Sequence, residues 1–159
     1  MSGTNLRPII ADFAVLAAAG QVRGVETKAQ VGFNDSIGST LEDIWPPGGL
    51  LIYLDNAENM DVSSTSTDDA LLGTGAQRVL IKGLDFEFLE IEEELDLNGT
   101  TIVTTVNKYI RMESCRVIAA GIGGENAGDI SLIANLSGTL QAFVAISFNN
   151  DQQEMFWMH

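Results

Sequence analysis

The side chains that most often carry catalysis are scarce in this chain. Its one histidine is His159, the last residue, and its one cysteine is Cys115. A terminal residue is poorly placed to hold an imidazole in working geometry, so a Ser-His-Asp or Cys-His arrangement is not expected. Zinc sites built from His and Cys lack their ligands for the same reason. The sequence therefore predicts no catalytic, metal or cofactor-binding residues of these kinds.

Two glycine-rich stretches invite comparison with phosphate-binding loops. Gly121-Ile122-Gly123-Gly124 follows a strand-like segment, as a dinucleotide loop would. Asn126 stands where the third glycine of that fingerprint belongs, and Asp129-Ile130-Ser131-Leu132-Ile133 then reads as a strand. Without a helix N-terminus there is no row of free N–H groups to hold pyrophosphate. Gly73-Thr74-Gly75 lacks the Lys and Ser/Thr of a phosphate loop, so both stretches read as turns.

Carboxylates are the remaining candidates. Asp55-Asn56-Ala57-Glu58-Asn59-Met60-Asp61 is rich in oxygen ligands and suits either calcium or a solvated acidic turn; Ala57 and Met60 depart from the EF-hand pattern. A glycoside hydrolase needs two carboxylates a few ångströms apart, and 22 acids permit such a pair. Sugar sites also favour aromatic platforms, which only Trp45, Trp157, Tyr53 and Tyr109 are suited to supply. Trp45, just before Pro46-Pro47, reads as a core or interface anchor.

The elements that position these residues read as β. At 159 residues, with 45% hydrophobic content, the chain is long enough for one ordinary domain. Turn residues recur at short intervals: Asn34-Asp35, Pro46-Pro47-Gly48-Gly49, Gly73-Thr74-Gly75, Asn98-Gly99, residues 121–128, Gly138 and Asn149-Asn150. Between them lie short segments rich in β-branched and aromatic residues, the spacing of a sandwich or barrel. Residues 50–55, 78–83, 100–106, 109–119, 129–134 and 139–148 read as strands. Asn98-Gly99 predicts a type I′ hairpin into residues 100–106. Residues 84–97 carry both helical spacing and a parity of Leu89, Ile91, Leu95 and Leu97 broken by Glu93; strand is the favoured reading. The expected fold is an all-β, antiparallel, jelly-roll-like sandwich spanning residues 21–159, preceded by an arm or short helix over residues 1–20.

Charge bounds the partners. With 22 acids against 8 bases the formal net charge is -14, which repels phosphate backbones and anionic lipid, so neither nucleic acid nor membrane is an expected partner. No apolar run approaches the roughly 20 residues needed to span a bilayer. Arg7, the apolar run after it and Ala17-Ala18-Ala19 resemble a secretory signal, but Asp12 and Pro8 interrupt that pattern. The preferred reading of residues 6–19 is an arm that packs on the body or on another subunit.

Several phrases, in order, resemble a family of tailed-bacteriophage structural proteins, especially those of marine bacteria. They are Val31-Gly32-Phe33-Asn34-Asp35-Ser36-Ile37, Glu42-Asp43-Ile44-Trp45-Pro46-Pro47-Gly48-Gly49, residues 73–85 from Gly73-Thr74-Gly75-Ala76 to Leu84-Asp85, Leu97-Asn98-Gly99-Thr100-Thr101, and Asn126-Ala127-Gly128-Asp129-Ile130. The resemblance spans about residues 20–150. It implies a β-sandwich virion component of the head-decoration, neck or fibre type, without catalytic residues. Such a protein acts as a homo-oligomer, for example a trimer, with other virion proteins such as the major capsid protein as partners. Family members continue with further strands beyond the segment matching residues 151–159. The alternatives, read from the residues alone, are a carbohydrate- or surface-binding sandwich module and a carboxylate-dependent glycoside hydrolase.

Overall fold

The computed structural model describes residues 51–147, together with Leu16, residues 38–41 and residues 47–48. Apart from Leu16, which is helical, the expected N-terminal arm lies outside these residues, as do Trp45, Trp157, His159 and most of the first two resemblance phrases. The described chain forms seven strands: β1 (Met60–Ser64), β2 (Ala76–Leu84), β3 (Glu90–Asp96), β4 (Val103–Thr104), β5 (Arg111–Ala120), β6 (Ile130–Ala134) and β7 (Leu140–Val144). They make two sheets, β4-β1-β6-β7 and β3-β2-β5, and every pairing is antiparallel. The connections β1–β2, β3–β4, β4–β5 and β5–β6 each pass from one sheet to the other. This is the expected all-β sandwich.

Period-two alternation explains why these segments pair. Met60, Val62 and Ser64 of β1 point inward, as do Ile130, Leu132 and Ala134 of β6. They meet Val79 and Ile81 of β2 and Met112, Cys115 and Val117 of β5, all buried in one continuous core. β-branched and aliphatic side chains pack well on such pleated surfaces. A fully buried aliphatic side chain of this kind contributes roughly 1.5–3 kcal/mol.

The outward faces of the two sheets differ. On β2, Arg78 and Lys82 stand directly opposite Asp96 and Glu92 of β3. Arg78 Nε lies 2.5 Å from Asp96 Oδ1, Arg78 also reaches Glu94 at 3.3 Å, and Lys82 Nζ lies 3.0 Å from Glu92. The hydrogen bond from Arg78 holds the Asp96 carboxyl below its ordinary range. On the other sheet, the outward positions Ile133, Leu140 and Phe143 are apolar and half-buried.

Residues 84–97 resolve into a hairpin and a strand, the favoured reading. Leu84 closes β2, a tight turn follows, and β3 runs back beside β2. Glu93, which breaks the apolar parity, is half-buried, and its carboxylate accepts the N–H groups of Val106 (2.8 Å) and Asn107 (2.9 Å). The acid that spoils the pattern clamps a loop.

Other expectations need correction. Residues 51–55 form no strand, and Leu50 lies outside the described residues. Side chains rather than a ladder satisfy this stretch: Gln141 donates to the Ile52 carbonyl at 3.0 Å and Arg111 to that of Leu54 at 2.8 Å. The strand expected over residues 100–106 shrinks to β4. Asn98-Gly99 makes no hairpin between β3 and β4, because those strands belong to different sheets. Only Gly99 takes a left-handed φ (62°), with Thr101 N–H closing the turn on the Asn98 carbonyl at 3.1 Å, so the I′ geometry, which needs two such residues, is absent. Strand β7 ends at Val144, short of the expected run to 148. Strand β1 falls in a polar Ser/Thr-rich stretch that the sequence reading passed over.

Candidate functional site

The candidate chemistry-bearing side chains are spent on holding loops. In the 55–61 stretch, Glu58 Oε2 accepts the N–H groups of Leu136 (2.8 Å) and Ser137 (2.9 Å). Asn59 Nδ2 donates to the carbonyls of Thr105 (2.8 Å) and Val106 (3.1 Å). Asp61 accepts Thr104 Oγ1 (2.6 Å) and Asn135 Nδ2 (2.9 Å). Asp55 is exposed. These side chains tie down two segments, residues 104–106 and 135–137, instead of converging on one centre, and no group of three or more His, Cys, Asp or Glu side chains is arranged to hold a metal ion among the described residues.

The two glycine stretches lie against each other. Gly121 N–H donates to the Gly75 carbonyl (2.7 Å) and Gly123 N–H to that of Thr74 (2.8 Å). The approach is so close that a Cβ on Gly121 would sit 2.1 Å from the Gly73 carbonyl oxygen. Amides of the 121–123 turn thus bind backbone rather than a phosphate, and β6 follows as the expected strand.

Beneath this pair sits Asp69, fully buried, to which the sequence analysis gave no role. Its Oδ1 accepts Ala76 N–H (2.6 Å) and Ala127 N–H (2.8 Å). Its Oδ2 accepts Gly128 N–H (2.9 Å) and the Ser64 hydroxyl. A buried carboxylate is tolerated when donors surround it, and charge-assisted bonds to backbone N–H groups are the stronger kind. A Cβ on Gly75 would come within 2.2 Å of Oδ1, so the glycine makes room for the carboxylate. No periodicity marks such a residue; Gly75 and Gly128 nearby are the only trace in sequence.

The remaining candidates separate. Cys115 is buried, and desolvation pushes its thiol up to about 12, which keeps it protonated and unreactive. Tyr109 is fully buried, whereas Tyr53 is about half exposed with the Arg111 guanidinium 4.7 Å from its ring centre, so the two form no shared platform. Lys82, Glu90, Ile91, Glu92 and Glu113 line an open cleft of about 190 Å³ with no aromatic wall. That is smaller than the roughly 300–1,000 Å³ usual for ligand pockets.

What the surface does offer is apolar loop tips. Phe86 (68% exposed), Phe88 and Leu89 crown the β2–β3 hairpin. At the opposite end of β2, Leu72 (91%) and Ile122 (96%) stand out from the glycine loops. Leu72 and Phe88 both hold left-handed backbone, at φ 71° and 61°, which bulky residues rarely adopt. Among the described residues no helix is long and apolar enough to cross a membrane.

Fold and surface together define the class of an all-β, two-sheet antiparallel sandwich. No protein-family model, curated protein or solved structure matches the chain.

Proposed function

We propose that this chain is a non-enzymatic structural component of a bacteriophage virion, a capsid decoration or cement protein or a related head–tail protein, working through multimeric assembly. The reading rests on the ordered sequence phrases that resemble such proteins. The observation that carries it furthest is the exposure of Phe86, Phe88, Leu89, Leu72 and Ile122 on loops held by dense hydrogen bonding. Large apolar side chains grouped on rigid loops suit contacts between proteins. Assembly of many copies multiplies weak contacts into tight attachment. Its partners are further copies of itself and other virion proteins such as the major capsid protein, and its place is the virion.

Light scattering of the purified full-length chain tests the assembly. A mass several times that of one chain is expected, and a strict monomer at high concentration overturns the reading. A second reading, a surface- or carbohydrate-binding module of a phage fibre, draws on the exposed Tyr53 beside Arg111. Binding to a glycan panel that is lost in Tyr53→Ala would favour it.

A further inference from the structure

We infer that the tip of the β2–β3 hairpin is the receptor for residues 6–19 of a second copy of this chain. This deepens the assembly reading and rests on it.

The tip is built to present apolar side chains rigidly. Asp85 Oδ1 accepts the N–H groups of Glu87 (2.8 Å) and Leu89 (3.0 Å), while the Asp85 carbonyl accepts that of Phe88 (3.0 Å). Asp85 N–H in turn donates to the Leu89 carbonyl at 3.0 Å. This closed set of bonds holds Phe88 at its unusual φ and leaves Phe86, Phe88 and Leu89 each more than half exposed. Fixing a loop in its bound conformation beforehand lowers the entropic cost of docking.

Charge selects the occupant. Along the sequence no basic residue lies between Lys82 and Lys108, and Asp85, Glu87, Glu90 and Glu92 lie in or beside the tip. Arg111, opposite Leu84 on β5, is engaged by the Leu54 and Ile110 carbonyls and the Tyr53 ring. Lys82 is already paired with Glu92. An apolar surface with an acidic rim favours an apolar segment with cationic flanks and opposes a like-charged one. Two tips therefore repel each other, and anionic lipid is repelled as well.

The chain itself contains one segment of the required kind. Ile9, Ile10, Phe13, Val15 and Leu16 form an apolar run with Arg7 before it and Arg23 after it. Residues 6–19 themselves hold one base and one acid, Arg7 and Asp12, and Arg23 and Lys28 against Glu26 follow directly, so residues 6–28 carry a slight positive balance within a strongly acidic chain. Thirty-five residue steps separate Leu16 from Leu51, and a chain of that length spans at most on the order of 100 Å, which sets an upper limit that includes a neighbour's hairpin. Docking across copies links subunits, whereas docking within one chain contributes nothing to assembly.

Cysteine cross-linking of full-length chains tests this, because Cys115 is buried and silent. Val15→Cys chains are mixed with Phe88→Cys chains, or with Ile122→Cys chains as the control at the far end of β2, and oxidised mildly. Phe86→Cys repeats the experiment without altering the left-handed position, and circular dichroism checks that each variant folds. The expected result is an inter-chain bond to the hairpin at least about ten-fold more abundant than to position 122, from the high local concentration that docking creates. Replacing Arg7 and Arg23 by Glu should reduce that product several-fold. Equal yields at 88 and 122 overturn the inference. So does a predominance of 88–88 products, which would make the second copy's own tip the occupant. A bond that forms only within a doubly substituted chain overturns it too. Light scattering of the same samples separates the two readings: a multimer without hairpin preference sinks this inference alone, whereas a strict monomer sinks both.

Discussion

The Asp69 carboxylate accepts the Ala127 N–H at 2.8 Å across 58 residues of sequence, and so ties the segment after β1 to the segment before β6. The same side chain also binds Ala76, Gly128 and Ser64. One buried charge thereby organises an entire end of the sandwich. Replacing it with Ala strands three backbone amides and a hydroxyl, and should cost about 3–5 kcal/mol. Asp69→Asn should cost less but remain destabilising, because its amide NH₂ meets donors. Urea midpoints with an unchanged slope measure both; a loss within about 0.5 kcal/mol for Asp69→Ala would contradict this account.

Gly121→Ala should be nearly as damaging, although the substituted position carries no side-chain function. The new methyl would overlap the Gly73 carbonyl, which is backbone and cannot swing aside. A loss of about 2–3 kcal/mol is expected. Gly124→Ala meets no atom within 4 Å, and its cost comes only from a φ of 74°, so it should be milder, about 1 kcal/mol.

Stability should fall in alkali through two named groups. Burial lifts Tyr109 from 10.0 to about 12 and Cys115 from 9.0 to about 12. Asn107 draws the tyrosine slightly down, but the hydroxyl has no partner in hydrogen-bonding geometry, so burial dominates. Both groups hold their protons more tightly when folded than when unfolded. Their contribution is therefore complete below about pH 9 and is lost as the pH rises towards 12. Urea midpoints at pH 8, 10 and 11.5 should decline, and Tyr109→Phe with Cys115→Ala should flatten the decline. Tyr109→Phe by itself should leave stability at pH 8 unchanged or slightly raised, since it removes an unpaired buried hydroxyl.

Glu93→Ala should free the Val106 and Asn107 amides and cost about 1–2 kcal/mol, with amide exchange quickening at those two positions first. Uniform exchange across β3 instead would mean that the clamp is not local.

Much of the β architecture was legible because it follows from period-two burial. Val79 and Ile81 alternate with Arg78, Leu80 and Lys82 as a half-buried strand must, and Ile130 and Leu132 do the same in β6. Strand β1 was not legible: its inward positions include Ser64, whose hydroxyl is used by Asp69, so polarity hides the pattern. The apolar look of residues 51–54 misled in the opposite direction, since only Leu54 among them is buried. Asn98-Gly99 signalled a turn, but the partner of the preceding strand is set by packing between sheets. At the candidate site the gap was wider. A surface acid and a buried, fully bonded acid look alike in a one-dimensional sequence. Asp68 and Asp69 are neighbours with opposite fates, the first exposed and the second at zero exposure.

The row of acids on β3 has one more consequence. Among the described residues β3 is an edge of its sheet, and its exposed positions are Glu90, Glu92, Glu94 and Asp96. Bare edges invite further strands and can template fibrils, and charge is one of the common ways proteins discourage this. Many copies crowded together would bring such edges close repeatedly. Repulsion between such rows would oppose pairing of one edge with another.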